Sequence, residues 1–129
     1  MDPLEAVGPA PDLVSDVFAR ACTSRAAFED VTSRWSSLAL LALGEGPHRF
    51  GELRRRVEGV SERMLAQTLR ALERDGLITR SDAGTIPPRV DYALTPLGAQ
   101  VAAGLRGLAD VLESAVPEID RARLDYDAR

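Results

Sequence analysis

The chain contains no lysine, and among its 129 residues it holds one cysteine, one histidine and one tryptophan. A single cysteine excludes an internal disulfide framework. His48 sits in a Gly-Pro loop, and with one cysteine and no acidic pair at ligand spacing it makes no metal site. No Ser-His-Asp arrangement, phosphate-cradling glycine loop or nucleotide fingerprint is legible, so neither catalysis nor a cofactor is expected. No apolar run reaches the roughly 20 residues a membrane span needs, and nothing near Met1 reads as a signal peptide. The expectation is a cytoplasmic protein with no membrane partner. Without lysine, all 16 basic residues are arginine, a side chain that can grip guanine O6 and N7 in bidentate fashion.

A hydrophobic content of 45% suits one domain, spanning 1–129, with a core of its own. The net charge of −4 announces no nucleic-acid partner. Its distribution is more informative. Residues 1–46 hold 3 Arg and 7 acids, residues 47–94 hold 9 Arg and 7 acids, and residues 95–129 hold 4 Arg and 6 acids. Only the middle segment is positive.

That segment carries the clearest pattern. Phe50, Leu53 and Val57 lie on one face of a short helix. Gly59 can take the positive φ of a helix C-terminus, and Ser61 is a favoured N-cap. Met64, Leu65, Thr68, Leu69 and Leu72 then form an inward stripe. Arg63, Ala66, Gln67, Arg70 and Arg74 lie opposite. Gly76 ends this second helix. Leu77–Arg80 and Val90–Leu94 read as strands, with Asp82-Ala83-Gly84 and Pro87-Pro88 breaking the chain between them. Helix, turn, helix and β-hairpin make a helix-turn-helix (47–76) followed by a wing (77–94), which offers duplex DNA two probes at once.

The flanks are helical. Residues 1–11, with three prolines, read as a loose tail. In the N-terminal helical region (12–46), a first helix opens at Asp12 or Pro11 with Val14, Val17, Phe18 and Ala21 on one face. A second, capped by Thr23 or Ser24, carries Ala27, Phe28 and Val31. A third, capped by Ser33, runs Trp35 to Leu43 and is apolar nearly all round, as a central helix should be. Thr95 and Pro96 open a long helix (95–116) with a stripe of Leu97, Val101, Leu105, Leu108 and Leu112, ended by Pro117. Residues 118–129 read as a short helix or a frayed tail. These stripes exceed what so small a domain can bury, and Ala102, Ala103, Gly104 and Gly107 permit close helix approach. The fold class expected is mainly α with a small β-hairpin wing: a winged helix-turn-helix with flanking N- and C-terminal dimerisation helices. A homodimer would set two recognition helices roughly 34 Å apart, matching a near-palindromic operator. The plainer alternative is that the flanking helices only wrap their own domain.

Arg63, Gln67 and Arg70 stand where base-edge contacts arise, Arg suiting guanine and Gln adenine. The other reading is a solvated face on which Glu73 pairs with Arg70 or Arg74. Ser61 can cap the helix and touch a phosphate. Arg49, before the first helix of the motif, and Arg89, at the wing, suit phosphate or minor-groove contact. The run Arg54-Arg55-Arg56 fits a solvated surface equally well. Cys22 lies beside Arg20 and Arg25 at an expected helix start, both of which favour the reactive thiolate. It is a redox-sensor candidate or simply a small apolar filler at a helix junction.

These residues resemble the HxlR-type winged helix-turn-helix regulators of bacteria over about residues 22–113. The matching pieces are Cys22, Arg34-Trp35, Gly46-Pro47-x-Arg49-Phe50-x-Glu52-Leu53 and Ser61-x-Arg63-Met64-Leu65. Leu69-x-x-Leu72-Glu73-x-Asp75-Gly76-Leu77, Pro87-Pro88-Arg89-Val90-x-Tyr92 and Leu94-Thr95-x-x-Gly98 follow in order. The resemblance implies a dimeric repressor or activator that answers a small-molecule or oxidant effector. The chain departs from the family in three places. Cys22-Thr23 replaces Cys-Pro, Thr32-Ser33-Arg34-Trp35 replaces Gly-Gly-Lys-Trp, and Ala83 stands where the wing commonly has an aromatic. Two alternatives remain at this stage: a MarR-type regulator with a small-ligand pocket, and a winged-helix protein–protein module that does not bind DNA.

Overall fold

The computed structural model describes residues 15–129. Six helices and a two-stranded sheet follow in the order α1 (Thr23–Thr32), α2 (Arg34–Leu43), α3 (Phe50–Arg56), α4 (Glu62–Arg74), β1 (Ile78–Asp82), β2 (Val90–Leu94), α5 (Pro96–Ser114) and α6 (Val116–Asp127). The mainly helical winged helix-turn-helix read from the sequence is the fold observed.

α2 occupies the centre, packed by α1, α3, α4, β2 and α5. Its Ala39 and Leu40 are fully buried, alongside Leu53 of α3 and Leu65, Leu69 and Leu72 of α4. Leu38 is nevertheless exposed, so the helix is covered on most sides rather than all. Trp35 is half-buried at the edge of this core, with the Arg34 guanidinium 4.5 Å from its ring centroid.

Local signals set the ends of α4. The Ser61 hydroxyl accepts from the Met64 N–H at 3.1 Å. At the other end, Gly76 adopts φ 76°. The Gly76 N–H donates to Glu73 O and the Leu77 N–H to Leu72 O, each at 3.0 Å. This paired closure needs a left-handed residue, which glycine supplies without a Cβ penalty. The chain thereby reverses directly into β1.

The wing is an antiparallel hairpin in which Ile78 pairs with Leu94 and Asp82 with Val90. His48, read as a loop residue, adds a third strand-like rung. Its N–H donates to Tyr92 O at 3.0 Å and its carbonyl accepts from Tyr92 N at 2.8 Å. The chain before α3 is thus tied to the wing by β-type bonds that no local pattern reveals.

Four expectations need correction. The proposed first helix lies partly outside the described residues, and residues 15–22 form turns rather than helix, with Phe18 88% exposed. The Asp16 carboxylate accepts from the Phe18 N–H at 3.0 Å, a local bond that competes with helix formation. Thr23 and Ser24 do not cap α1, because Cys22 is its N-cap residue and provides no side-chain cap bond. Ser33 holds the N-cap position of α2, but its hydroxyl bonds Asp30 O and Ser36 Oγ instead of a backbone N–H. Met64 is 40% exposed rather than inward. At about 100° per residue it lies roughly 90° around α4 from the centre of the buried stripe.

The C-terminal region also differs. α5 ends at Ser114, before Pro117, which sits in the first turn of α6. A proline there removes no helical hydrogen bond. Residues 116–127 are therefore helix rather than frayed tail.

Candidate nucleic-acid interface

The exposed side of α4 is narrow and basic. Arg63, Gln67, Arg70 and Arg74 fall within roughly 60° of arc at 3.6 residues per turn, opposite the buried Leu65, Thr68, Leu69 and Leu72. Among the described residues, Arg63, Arg70 and Arg74 have no carboxylate within salt-bridge distance. The alternative of local pairing between Glu73 and its arginine neighbours is not what the side chains do. An ion-pair-free guanidinium carries no internal contact that binding would have to break.

Neighbouring arginines divide into engaged and free. Arg56 grips Glu45 through two bonds of 2.8 and 2.6 Å. That contact holds the Glu45 carboxyl below the usual carboxylate range, and it places Arg56 in the structure rather than at a ligand. Arg54 lies 4.0 Å from Glu62. Arg49 donates its backbone N–H to Glu52 at 2.7 Å, which lowers the Glu52 carboxyl pKa and leaves the exposed guanidinium without an ion partner among the described residues. Arg89 is exposed at the wing but leans on Asp91 at 3.4 Å.

One residue that sequence reading passed over joins this surface. Arg80 of β1 lines a groove of about 320 Å³ between α4 and the wing, with Ala66, Leu69, Arg70, Glu73 and Tyr92. The signal was strand alternation: Arg80 shares a sheet face with the buried Ile78, two residues earlier, and so faces the helix. The wing tip closes by an Asp82 carboxylate accepting from the Gly84 N–H at 2.8 Å and an Ala83 N–H to Arg89 O bond of 3.0 Å. Arg89 therefore marks the base of the tip.

Cys22 is half-buried at the start of α1, with Sγ 3.2 Å from the Ser24 hydroxyl. Its thiol pKa falls from 9.0 to about 7, first through the Ser24 hydroxyl and then through backbone groups at Asp16 and Ser24. The helix start read from sequence is present, whereas the arginine contribution is not. Arg25 is taken up by Glu29 at 3.0 Å and by the Phe18 carbonyl at 3.1 Å.

An exposed arginine-rich helix beside a β-hairpin, on a helical frame, defines a transcriptional regulator with a DNA-binding winged helix-turn-helix, not an enzyme. The chain belongs to the HxlR-like helix-turn-helix family, whose profile its residues 30–120 match. It is 52% identical over 104 residues to the HTH-type transcriptional regulator YtfH of Escherichia coli K12, across 81% of this chain and 82% of that one. The solved structure of the transcriptional regulator ytfH from Salmonella typhimurium is similar with a TM-score of 0.78 at 49% identity, covering 84% of this chain and 97% of that one. The redox regulator HypR in its oxidised form is similar with a TM-score of 0.67 at 29% identity, covering 72% of this chain and 96% of that one. No helix among the described residues is long and apolar enough to cross a membrane.

Proposed function

We propose that this protein is a homodimeric, sequence-specific repressor or activator of the cytoplasm that binds a near-palindromic operator. Residues 1–129 act as one unit, with the helix-turn-helix at 47–76, the wing at 77–94 and the flanking helices in assembly. The observation that carries the reading is the arc of Arg63, Gln67 and Arg70 on α4, exposed and without ion pairs among the described residues. In a major groove these side chains read base edges, while Arg49, Ser61 and Arg89 hold phosphates. The free Arg63 and Arg70 favour DNA over a protein partner for this surface.

Dimerisation is supported by apolar side chains left uncovered on α5 and α6. Leu108, Val111, Leu112, Val116, Leu124 and Tyr126 are all about half or more exposed, from 48% to 70%. A two-fold pairing of these helices would bury them and set the half-sites one turn of DNA apart. Sedimentation of the purified chain should give a dimer, and Leu112→Glu a monomer with weakened operator binding. A monomeric wild-type chain would remove this assembly.

The lowered Cys22 thiol and the likeness to HypR support a redox-responsive regulator. With one cysteine per chain, oxidation can give an intersubunit disulfide, a mixed disulfide with a small thiol or a sulfur oxyacid. The testing experiment is fluorescence anisotropy with the protein's own upstream DNA, reduced and after mild oxidant, against random competitor. Competitor-resistant binding on the order of 10–100 nM supports operator recognition. Binding no better than to random DNA under both conditions rejects it. A Cys22→Ser protein that still answers oxidant normally rejects the sensor role.

A further inference from the structure

We propose that the groove between α1 and α5 binds a small molecule with an apolar body and a protonated amine, the ammonium pairing with the Asp75 carboxylate. The groove encloses about 500 Å³, within the roughly 300–1,000 Å³ of small-molecule sites. Phe28 and Val31 of α1, Leu97, Val101 and Leu105 of α5, and Leu77 form its apolar walls. Among the described residues, Asp75 is the one charged residue lining it.

Asp75 selects the ligand's head. Its Oδ2 is buried and takes no hydrogen bond among the described residues, a costly state that a donor on a ligand would relieve. Asp30 of α1 reaches the Asp75 carboxyl with a side-chain hydrogen bond and adds like-charge repulsion, and among the described residues the cation acting on it is the adjacent Arg74. Two neighbouring carboxyl groups with no guanidinium in ion-pair contact among the described residues favour a cation over an anion. Asp75 also closes the C-terminus of α4, where the helix dipole favours positive charge. The occupant is thus fixed by charge complementarity, and the groove adjoins the proposed dimer face at Leu108.

The position suggests what occupancy does. Asp75 joins α4 to the turn that enters the wing, while Phe28 and Leu97 belong to flanking helices. A ligand bridging them would bias how α4 sits relative to α1 and α5. This regulatory consequence rests on the operator reading above, whereas the binding does not.

Calorimetry of the full-length protein tests the site with 2-phenylethylammonium, 2-phenylethanol and 3-phenylpropionate. The ammonium should bind at least about tenfold more tightly than the alcohol, and the carboxylate least well. Asp75→Asn should erase the preference for the ammonium. Gly104→Leu, at a position where an added Cβ meets open space, should fill the groove and abolish binding of all three. Equal binding of ammonium and alcohol, or a preference unchanged by Asp75→Asn, overturns the proposal. Binding of none of the probes also overturns it, and with a dimer in solution it assigns the groove to the second copy. Tight ammonium binding that leaves operator affinity unchanged would keep the site and remove only its regulatory role.

Discussion

The Thr95 hydroxyl donates to the carbonyl oxygen of Gly76 at 2.7 Å and accepts from the Gly98 N–H at 3.0 Å. One side chain therefore joins the turn after the recognition helix to the first turn of α5. The Thr95 N–H adds a bond to Leu77 O at 3.0 Å. Nearby, a Cβ on Gly98 would collide with the Leu77 carbonyl oxygen, so only glycine lets α5 approach this closely.

Thr95→Val keeps the shape and removes both hydroxyl bonds. It is expected to cost roughly 1–2 kcal/mol in urea unfolding, the usual cost of a lost N-cap. Thr95→Ser should stay within about 0.5 kcal/mol of wild type, because the cap survives. Equal stability of the valine and serine variants would show that the joint is held by packing instead.

Arg63 and Arg89 should separate base reading from phosphate anchoring. Arg63→Ala is expected to relax preference at one position of each half-site by roughly 1–3 kcal/mol. Arg89→Ala should weaken binding to all sequences and lower the salt slope by about one, with Asp91, its partner at 3.4 Å, left facing the phosphates. Binding curves unchanged for both variants would reject this placement of helix and wing.

Cys22 should alkylate as a partly ionised thiol. With its pKa lowered from 9.0 to about 7, the thiolate forms as pH rises through about 7, and iodoacetamide reactivity should rise over the same range. Ser24 donates the largest stabilising bond, so Ser24→Ala should move the midpoint upward. A wild-type midpoint near 9 would mean an ordinary thiol with no special readiness to react.

Asp75 should make stability fall with rising pH. Its carboxyl is pushed from 3.8 up to about 6, chiefly by burial and then by Asp30. The folded chain therefore holds a proton that the unfolded chain has already released. That contribution is complete below pH 3.8 and is lost as pH rises to about 6. Asp75→Asn should remove this dependence and raise stability at pH 7 by about 1–2 kcal/mol, after allowance for partial exposure. Parallel pH profiles of variant and wild type in thermal unfolding would contradict it.

The helix-turn-helix was legible because its signals are local. Ser61, Gly76 and the Leu65-Thr68-Leu69-Leu72 stripe each act within a turn or two of α4, where hydrogen bonding and periodicity follow chain order. Thr95-Pro96 opened α5 for the same reason. The outward arc of Arg63, Gln67 and Arg70 followed once the inward stripe was known. Local reading failed where two local bonds competed, as at Asp16, which turns the chain instead of starting a helix. It failed again at Pro117, which can begin a helix as readily as end one.

Chain order by itself determined the helix-turn-helix and the wing, the outward arginine arc of α4 and the membership of one arginine-rich segment in a single motif. Tertiary structure alone decided the contacts between distant segments: the His48 rung on Tyr92, Arg80 beside Arg70, Arg56 locked to Glu45, and the Asp75 Oδ2 left without a hydrogen bond among the described residues beside an apolar groove. Such contacts depend on packing across many residues. Whether a charged side chain ends paired, solvated or stranded is set by whatever the fold brings beside it, and no spacing along the chain encodes that neighbour.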